Sequence, residues 1–250
     1  MAARTLSAMN AAAPVIALDH PAALDAARVG RAAADLAAAR AAGLPAAPGV
    51  VLTTDWPTDD LVTARQVWRI VSHDGGLALT VRSSNPRRAA RSAPPQAIEP
   101  VTVVRGLDAF LAAIAEVRAS DPVMPVLLQP VVPAAWCGVL YADEHWAPRT
   151  RPVVVARAAH GTTRDEWTGE LDHAGRVRAE LSAGATAPPA AVLARVARLA
   201  AKVTERFGGP HDLDWVADPA GRVQLLRLRP VVAAARSDLV PGPGEIVTAA

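Results

Sequence analysis

The chain has 250 residues, 51% of them hydrophobic and 20% charged, with 26 basic against 24 acidic side chains and a formal net charge of +2. This is globular composition, long enough for one large domain or two small ones, and it excludes disorder over most of the length. Lys202 is the sole lysine and Val203 follows it, which excludes a Gly-Lys-Ser/Thr phosphate loop, and Cys137, the sole cysteine, excludes an intrachain disulfide or a cysteine-built zinc site.

In chain order, the stretch before Asp19 reads as a ragged start and not as a signal peptide. A helix is expected from about Ala22 to Ala42, stopped by Gly43 and Pro45. The β-branched run Gly49–Thr54 predicts a strand. Leu61–Val71 has helical length and is closed by Asp74-Gly75-Gly76. Leu77–Arg82 alternates as a strand does. From Ser83 to Pro100 the pattern gives way to Pro, Ser, Ala and arginine, the mark of a long loop. Leu107–Arg118 is amphipathic, with Phe110, Leu111, Ile114 and Val117 on one stripe. Strands are expected at Val126–Val132, Gly138–Tyr141 and Val153–Ala156. The uncharged run Pro122–Ala142 reaches spanning length, but Pro125, Pro130 and Pro133 assign it to strands and turns.

His160–Ala187 is polar and poorly patterned. Pro188–Phe207 is the longest clear helix, ended by Gly208-Gly209. Strands Leu213–Ala217 and Val223–Leu228 flank the turn Asp218-Pro219-Ala220-Gly221. The order of elements, with paired strands in the second half, predicts an α+β fold. The six histidines show no metal-site spacing. With acids and bases mixed along the chain, the balance is only weak evidence for a nucleic-acid partner, and compositional bias accounts better for the arginines. The reading is a soluble, cytoplasmic protein without a membrane span.

Ordered motifs go further. Val29-Gly30-Arg31-Ala32-Ala33 leads to Ala42-Gly43-Leu44-Pro45 and Pro48-Gly49-Val50-Val51-Leu52-Thr53-Thr54. Val81-Arg82-Ser83-Ser84 ends a strand. Val126-Leu127-Leu128-Gln129-Pro130-Val131-Val132 is followed by Gly138-Val139-Leu140-Tyr141. Phe207-Gly208-Gly209-Pro210-His211-Asp212-Leu213-Asp214-Trp215 precedes Leu225-Leu226-Arg227-Leu228-Arg229-Pro230. Across about residues 28–231 this set resembles the N-terminal nucleotide-binding domain of phosphoenolpyruvate synthase, pyruvate phosphate dikinase and rifampin phosphotransferase.

The resemblance implies an ATP-grasp fold with lobes 1–120 and 121–240, a tail 241–250, and ATP with Mg2+ in the cleft between the lobes. It implies phosphate contacts from Arg31, Arg82, Ser83, Ser84 and Arg229, an adenine contact from Gln129, and a metal carboxylate at Asp214; Arg227, beside them, is expected to join Arg31, Arg82 and Arg229 in an arginine cradle for the phosphates. Guanidinium forks and hydroxyls suit phosphate oxygens, and Arg31 opens a helix. Each residue also has a plain structural alternative: a surface salt bridge for Arg82, an ordinary strand amide for Gln129, an ion pair with a neighbouring arginine for Asp214, and a solvated face for Arg227.

The chain departs from the family at several points. Arg31 replaces a lysine, Asp214 a glutamate, and Arg227 a glutamine beside the metal. Asn85–Pro100 contains no glycine where the family has a phosphate lid, Ala158–Thr163 replaces a second lid, and the Thr-Ser-His motif of the phosphohistidine domain is not found. Three readings follow. The chain is a kinase or phosphotransferase domain serving a phosphohistidine domain on another polypeptide; or a pseudoenzyme acting as a regulatory or interaction module; or a scaffold whose Arg87–Arg91 loop binds a polyanion.

Overall fold

Runs of Val and Leu with no polar partner between them, as in Val50-Val51-Leu52 and Val126-Leu127-Leu128, suit strands buried on both faces. The computed structural model describes residues 14–57, 59–85, 102–119, 121–142, 151–159, 165–182 and 184–231. In it these runs are central strands of the first sheet. That sheet comprises β1 (Val15–Ala17), β2 (Val50–Leu52), β3 (Leu79–Ser83), β4 (Thr102–Val104) and β5 (Val126–Pro130). The order is β1-β2-β5-β3-β4, with every pair antiparallel.

Side chains alternate across a strand, so the sheet feeds two cores. Val50, Leu52, Val126 and Leu128 pack beneath two helices, α3 (Leu61–Val71) and α4 (Leu107–Arg118), against Ala64, Val67, Phe110 and Ile114. Val51 and Leu127 face the other way, into a core shared with α1 (Ala26–Val29), α2 (Arg31–Ala41) and the second sheet.

The second sheet comprises β6 (Trp136–Tyr141), β7 (Val153–Ala158), β8 (Trp167–Leu171), β9 (Val177–Glu180), β10 (His211–Ala217) and β11 (Val223–Pro230). Its order is β11-β10-β6-β7-β8-β9, again antiparallel throughout. The helix α5 (Ala190–Phe207) covers one face, burying Val192, Val196, Leu199 and Val203 against Leu140, Trp167, Leu213 and Trp215. The α+β class expected from the sequence is the class the chain adopts. Among the described residues no helix is long and apolar enough to cross a membrane; Val126–Pro130 and Trp136–Tyr141 are strands.

Several expectations are corrected. The helix expected from Ala22 to Ala42 is a 3-10 turn at Pro21–Leu24 followed by α1 and α2. Asp25 caps α1 by accepting the Ala27 N–H. Gly30 then breaks the run at φ +77°, pressed so closely on β3's end that an added Cβ would lie 1.3 Å from the Ser84 carbonyl oxygen. The unpatterned region 160–187 contains β8 and β9. β8 buries Trp167, Gly169 and Leu171 in alternation, while the exposed sequence Val-Arg-Ala-Glu of β9 is an edge. The short strands β1 and β4 were also not expected.

β5 lies in the first sheet between β2 and β3, so the passage from one sheet to the other falls at 131–135. The tail 241–250, the loop Arg87–Arg91 and most of the second lid segment lie outside the described residues.

Candidate functional site

The two sheets meet along a seam built from a proline-bounded extended segment. Between Pro45 and Pro48 the chain cannot continue α2, because the residue before a proline is driven to extended angles. Ala46 instead forms a parallel bridge to Leu225 of β11. The Ala47 N–H donates to the Leu225 carbonyl at 2.9 Å, and the Leu225 N–H to the Pro45 carbonyl at 2.8 Å. One residue further along β11 the register slips: Asp214 pairs with Arg227 but Trp215 pairs with Leu225, leaving Leu226 as a bulge. A bulge turns a carbonyl out of its ladder. Here the Leu226 carbonyl accepts a hydrogen bond from Arg82 Nη2 at 2.7 Å.

The same Arg82 nitrogen donates to Gln129 Oε1 at 3.0 Å. Gln129 is buried, and its Nε2 donates to the carbonyls of Ala47 and Pro48, each at 3.3 Å. Both ends of the amide are thus engaged within the protein. In this arrangement Gln129 holds Arg82 and ties β5 to the seam.

On β10 and β11 the pleat separates two functions. Leu213, Trp215 and Leu228 enter the core under α5; Asp212, Asp214, Arg227 and Arg229 share the opposite face, with Asp212 paired to Arg229 and Asp214 to Arg227. Arg229 Nη2 donates to Asp214 Oδ1 at 2.8 Å, and Arg227 Nε stands 3.4 Å from Asp214 Oδ2. These side chains are 14%, 8% and 20% exposed for Arg229, Arg227 and Asp214. Asp212 Oδ1 accepts the Ala142 N–H at 3.3 Å.

A continuous line of contacts therefore joins Gln129, Arg82, the bulge at Leu226, Arg227, Asp214 and Arg229. Arg227 is buried and ion-paired, which removes the solvated face that was its structural alternative.

The remaining candidates gather at the start of α2. Ser84 Oγ is fully buried and accepts the Ala33 N–H at 3.0 Å, while the Asn85 carbonyl accepts the Arg31 N–H at 3.3 Å. Leading amides of α2 that would suit a phosphate are thus met by the chain following β3. Ser83 is exposed at the end of that strand. The Arg31 side chain reaches along the helix surface to Asp35 at 2.9 Å and is 53% exposed. Burial, the largest cause, raises the Asp35 carboxyl above its ordinary pKa, while Arg31 and His211 pull it down.

The donor set does not fit a divalent cation. Magnesium wants oxygen ligands, yet both Asp214 oxygens face guanidinium nitrogens. Among the described residues no group of three His, Cys, Asp or Glu side chains could hold a metal ion. Both Asp214 oxygens are engaged in the ion pairing that the sequence left as the alternative to a metal role. What sequence reasoning missed is the acceptor side of the seam, the carbonyls of Ala47, Pro48 and Leu226. Backbone groups at a bulge carry no residue-level signal.

No family model matches the chain, and no curated protein does. Solved structures do resemble it. The D-alanine–D-alanine ligase from Bacillus anthracis complexed with ATP shares 14% identity at a TM-score of 0.46, covering 82% of this chain and 56% of its own. The macrocyclase MdnC from Microcystis aeruginosa, bound with precursor peptide MdnA, shares 14% at 0.45, covering 90% and 59%. The D-alanine–D-alanine ligase from Coxiella burnetii shares 16% at 0.44, covering 78% and 45%. The chain spans about half the length of these structures.

Proposed function

We propose that the chain is an ATP-binding domain of ATP-grasp type, of the kind that serves phosphoenolpyruvate synthase and pyruvate phosphate dikinase, with ATP lying at the seam between the sheets. The observation that carries this reading is the convergence of Arg82, Arg227 and Arg229. Arg82 lies in the first sheet and Arg227 and Arg229 on one strand of the second, far from it in sequence, yet they are linked through the Leu226 bulge and Asp214. Guanidinium groups stay charged at all working pH and present planar donor forks matched to phosphate oxygens. Gln129 acts as a positioning residue for Arg82.

In this reading the terminal phosphate is passed to a histidine carried elsewhere. A second reading, nucleotide binding without transfer, is favoured by the ion pairs that occupy both oxygens of Asp214.

Titration calorimetry of the full chain with ATP tests the proposal. One bound ATP is expected. Arg229→Gln should weaken it by about 10- to 100-fold, the loss of one charge-assisted contact of about 1.5–3 kcal/mol. A thermal melt reports whether the variant is folded. No ATP binding by the wild-type chain would overturn the proposal, as would unchanged affinity in a folded Arg229→Gln variant. Acid-labile transfer of the terminal phosphate to a supplied phosphohistidine domain would decide for the first reading over the second.

A further inference from the structure

We propose that this site takes its nucleotide as the metal-free polyanion, with guanidinium groups neutralising the phosphates in place of a divalent cation. The inference rests on the ATP-binding reading and concerns the ionic form that is bound.

The argument starts from Asp214. It is clamped on both sides, by Arg229 at 2.8 Å and by Arg227 at 3.4 Å. Register makes the clamp a property of the fold. Asp214 and Arg227 are cross-strand partners, and the bulge that follows them holds the Leu226 carbonyl on Arg82. A divalent ion at Asp214 would have to displace one guanidinium or sit beside two permanent positive charges, and like charges at that range repel strongly where side chains are little exposed.

Asp212, the other carboxylate on this face, accepts the Ala142 N–H and stands opposite Arg229. Neither acid is set up to complete a cation's oxygen shell. Phosphate oxygens, in contrast, can replace carboxylate oxygens on the same guanidinium nitrogens, because the two acceptors share geometry. Asp214 thus competes with phosphate for Arg227 and Arg229 and gives them up when phosphate arrives.

Prebound magnesium would remove part of the negative charge that these arginines recognise. Affinity should therefore be equal or higher for free ATP than for its magnesium complex. An ordinary metal-assisted site behaves in the opposite way.

The test is calorimetry of the full chain with ATP in chelator and in excess magnesium chloride, on the wild type, Asp214→Asn and Arg227→Gln, with a melt of each variant as the check on folding. The expected result is wild-type binding in chelator at least as tight as in magnesium. Asp214→Asn should bind free ATP more tightly than wild type, because it removes a negative charge that competes with phosphate for Arg227 and Arg229. Arg227→Gln should lose about tenfold or more in chelator and recover part of the loss in magnesium, once Asp214 is relieved of one partner.

Wild-type binding that appears only with magnesium would overturn the inference while leaving ATP binding intact, as would magnesium-supported binding abolished by Asp214→Asn. Absence of binding in both conditions would overturn the inference together with the reading beneath it.

Discussion

Replacing Arg118 by leucine should be among the most damaging single changes in the first sheet's surroundings. Arg118 ends α4 and is 4% exposed, a buried charge with no acid in contact among the described residues. Its Nε donates to the Met124 carbonyl at 3.0 Å, Nη1 to Trp56 at 2.7 Å, and Nη2 to Thr53 at 2.8 Å. The guanidinium also lies 5.0 Å from the Trp56 ring centroid. Burial lowers its pKa from the ordinary arginine value, with Asp121 opposing. The fork fastens the turn after β2, the approach to β5 and the end of α4 at one point.

Leucine keeps the bulk but leaves those carbonyls without donors, at about 1–3 kcal/mol for each group that water does not reach. Relief from burying a charge offsets part of the loss. The expected net destabilisation is about 3–5 kcal/mol, in the range seen when a buried polar network is broken. For a chain of this length that is a fall in Tm of roughly 6–20 °C. Arg118→Lys should be intermediate, because one ammonium cannot span three carbonyls fixed by a planar fork. Urea denaturation of wild type and both variants measures this. A leucine variant within about 0.5 kcal/mol of wild type, the range of ordinary surface changes, would refute the argument.

Gly30→Ala should lose at least about 2 kcal/mol, since φ of +77° disfavours any Cβ and the Ser84 carbonyl already occupies its place; wild-type stability would mean that α2 and β3 are not pressed together there. Leu199→Ala, in the buried stripe of α5, should cost about 2–5 kcal/mol in chemical denaturation, and an unchanged midpoint would place that face in solvent. Asp35 holds its proton more tightly folded than unfolded, chiefly through burial. Its contribution to stability is therefore fully present below the ordinary carboxylate range and is lost as pH rises through its raised value. Asp35→Asn should flatten the profile from the ordinary carboxylate range upward, and parallel wild-type and variant profiles would count against it.

Local periodicity made much of the fold legible. The apolar runs at Val50–Leu52 and Val126–Leu128 and the stripe Val192–Val196–Leu199–Val203 state strand and helix without reference to anything distant. The ordered motifs also singled out Arg82, Gln129, Asp214, Arg227 and Arg229, and the structure links them. The break at Gly30 was hidden because it depends on Ser84, more than fifty residues later. β8 and β9 were hidden because a short polar alternation gains its meaning from a neighbour to pair with. Whether Asp214 would meet a cation or an arginine was left open as well. Sequence supplied the carboxylate and the guanidiniums; the cross-strand register and the bulge at Leu226, which the packing of two sheets along one seam sets, decided that they face each other.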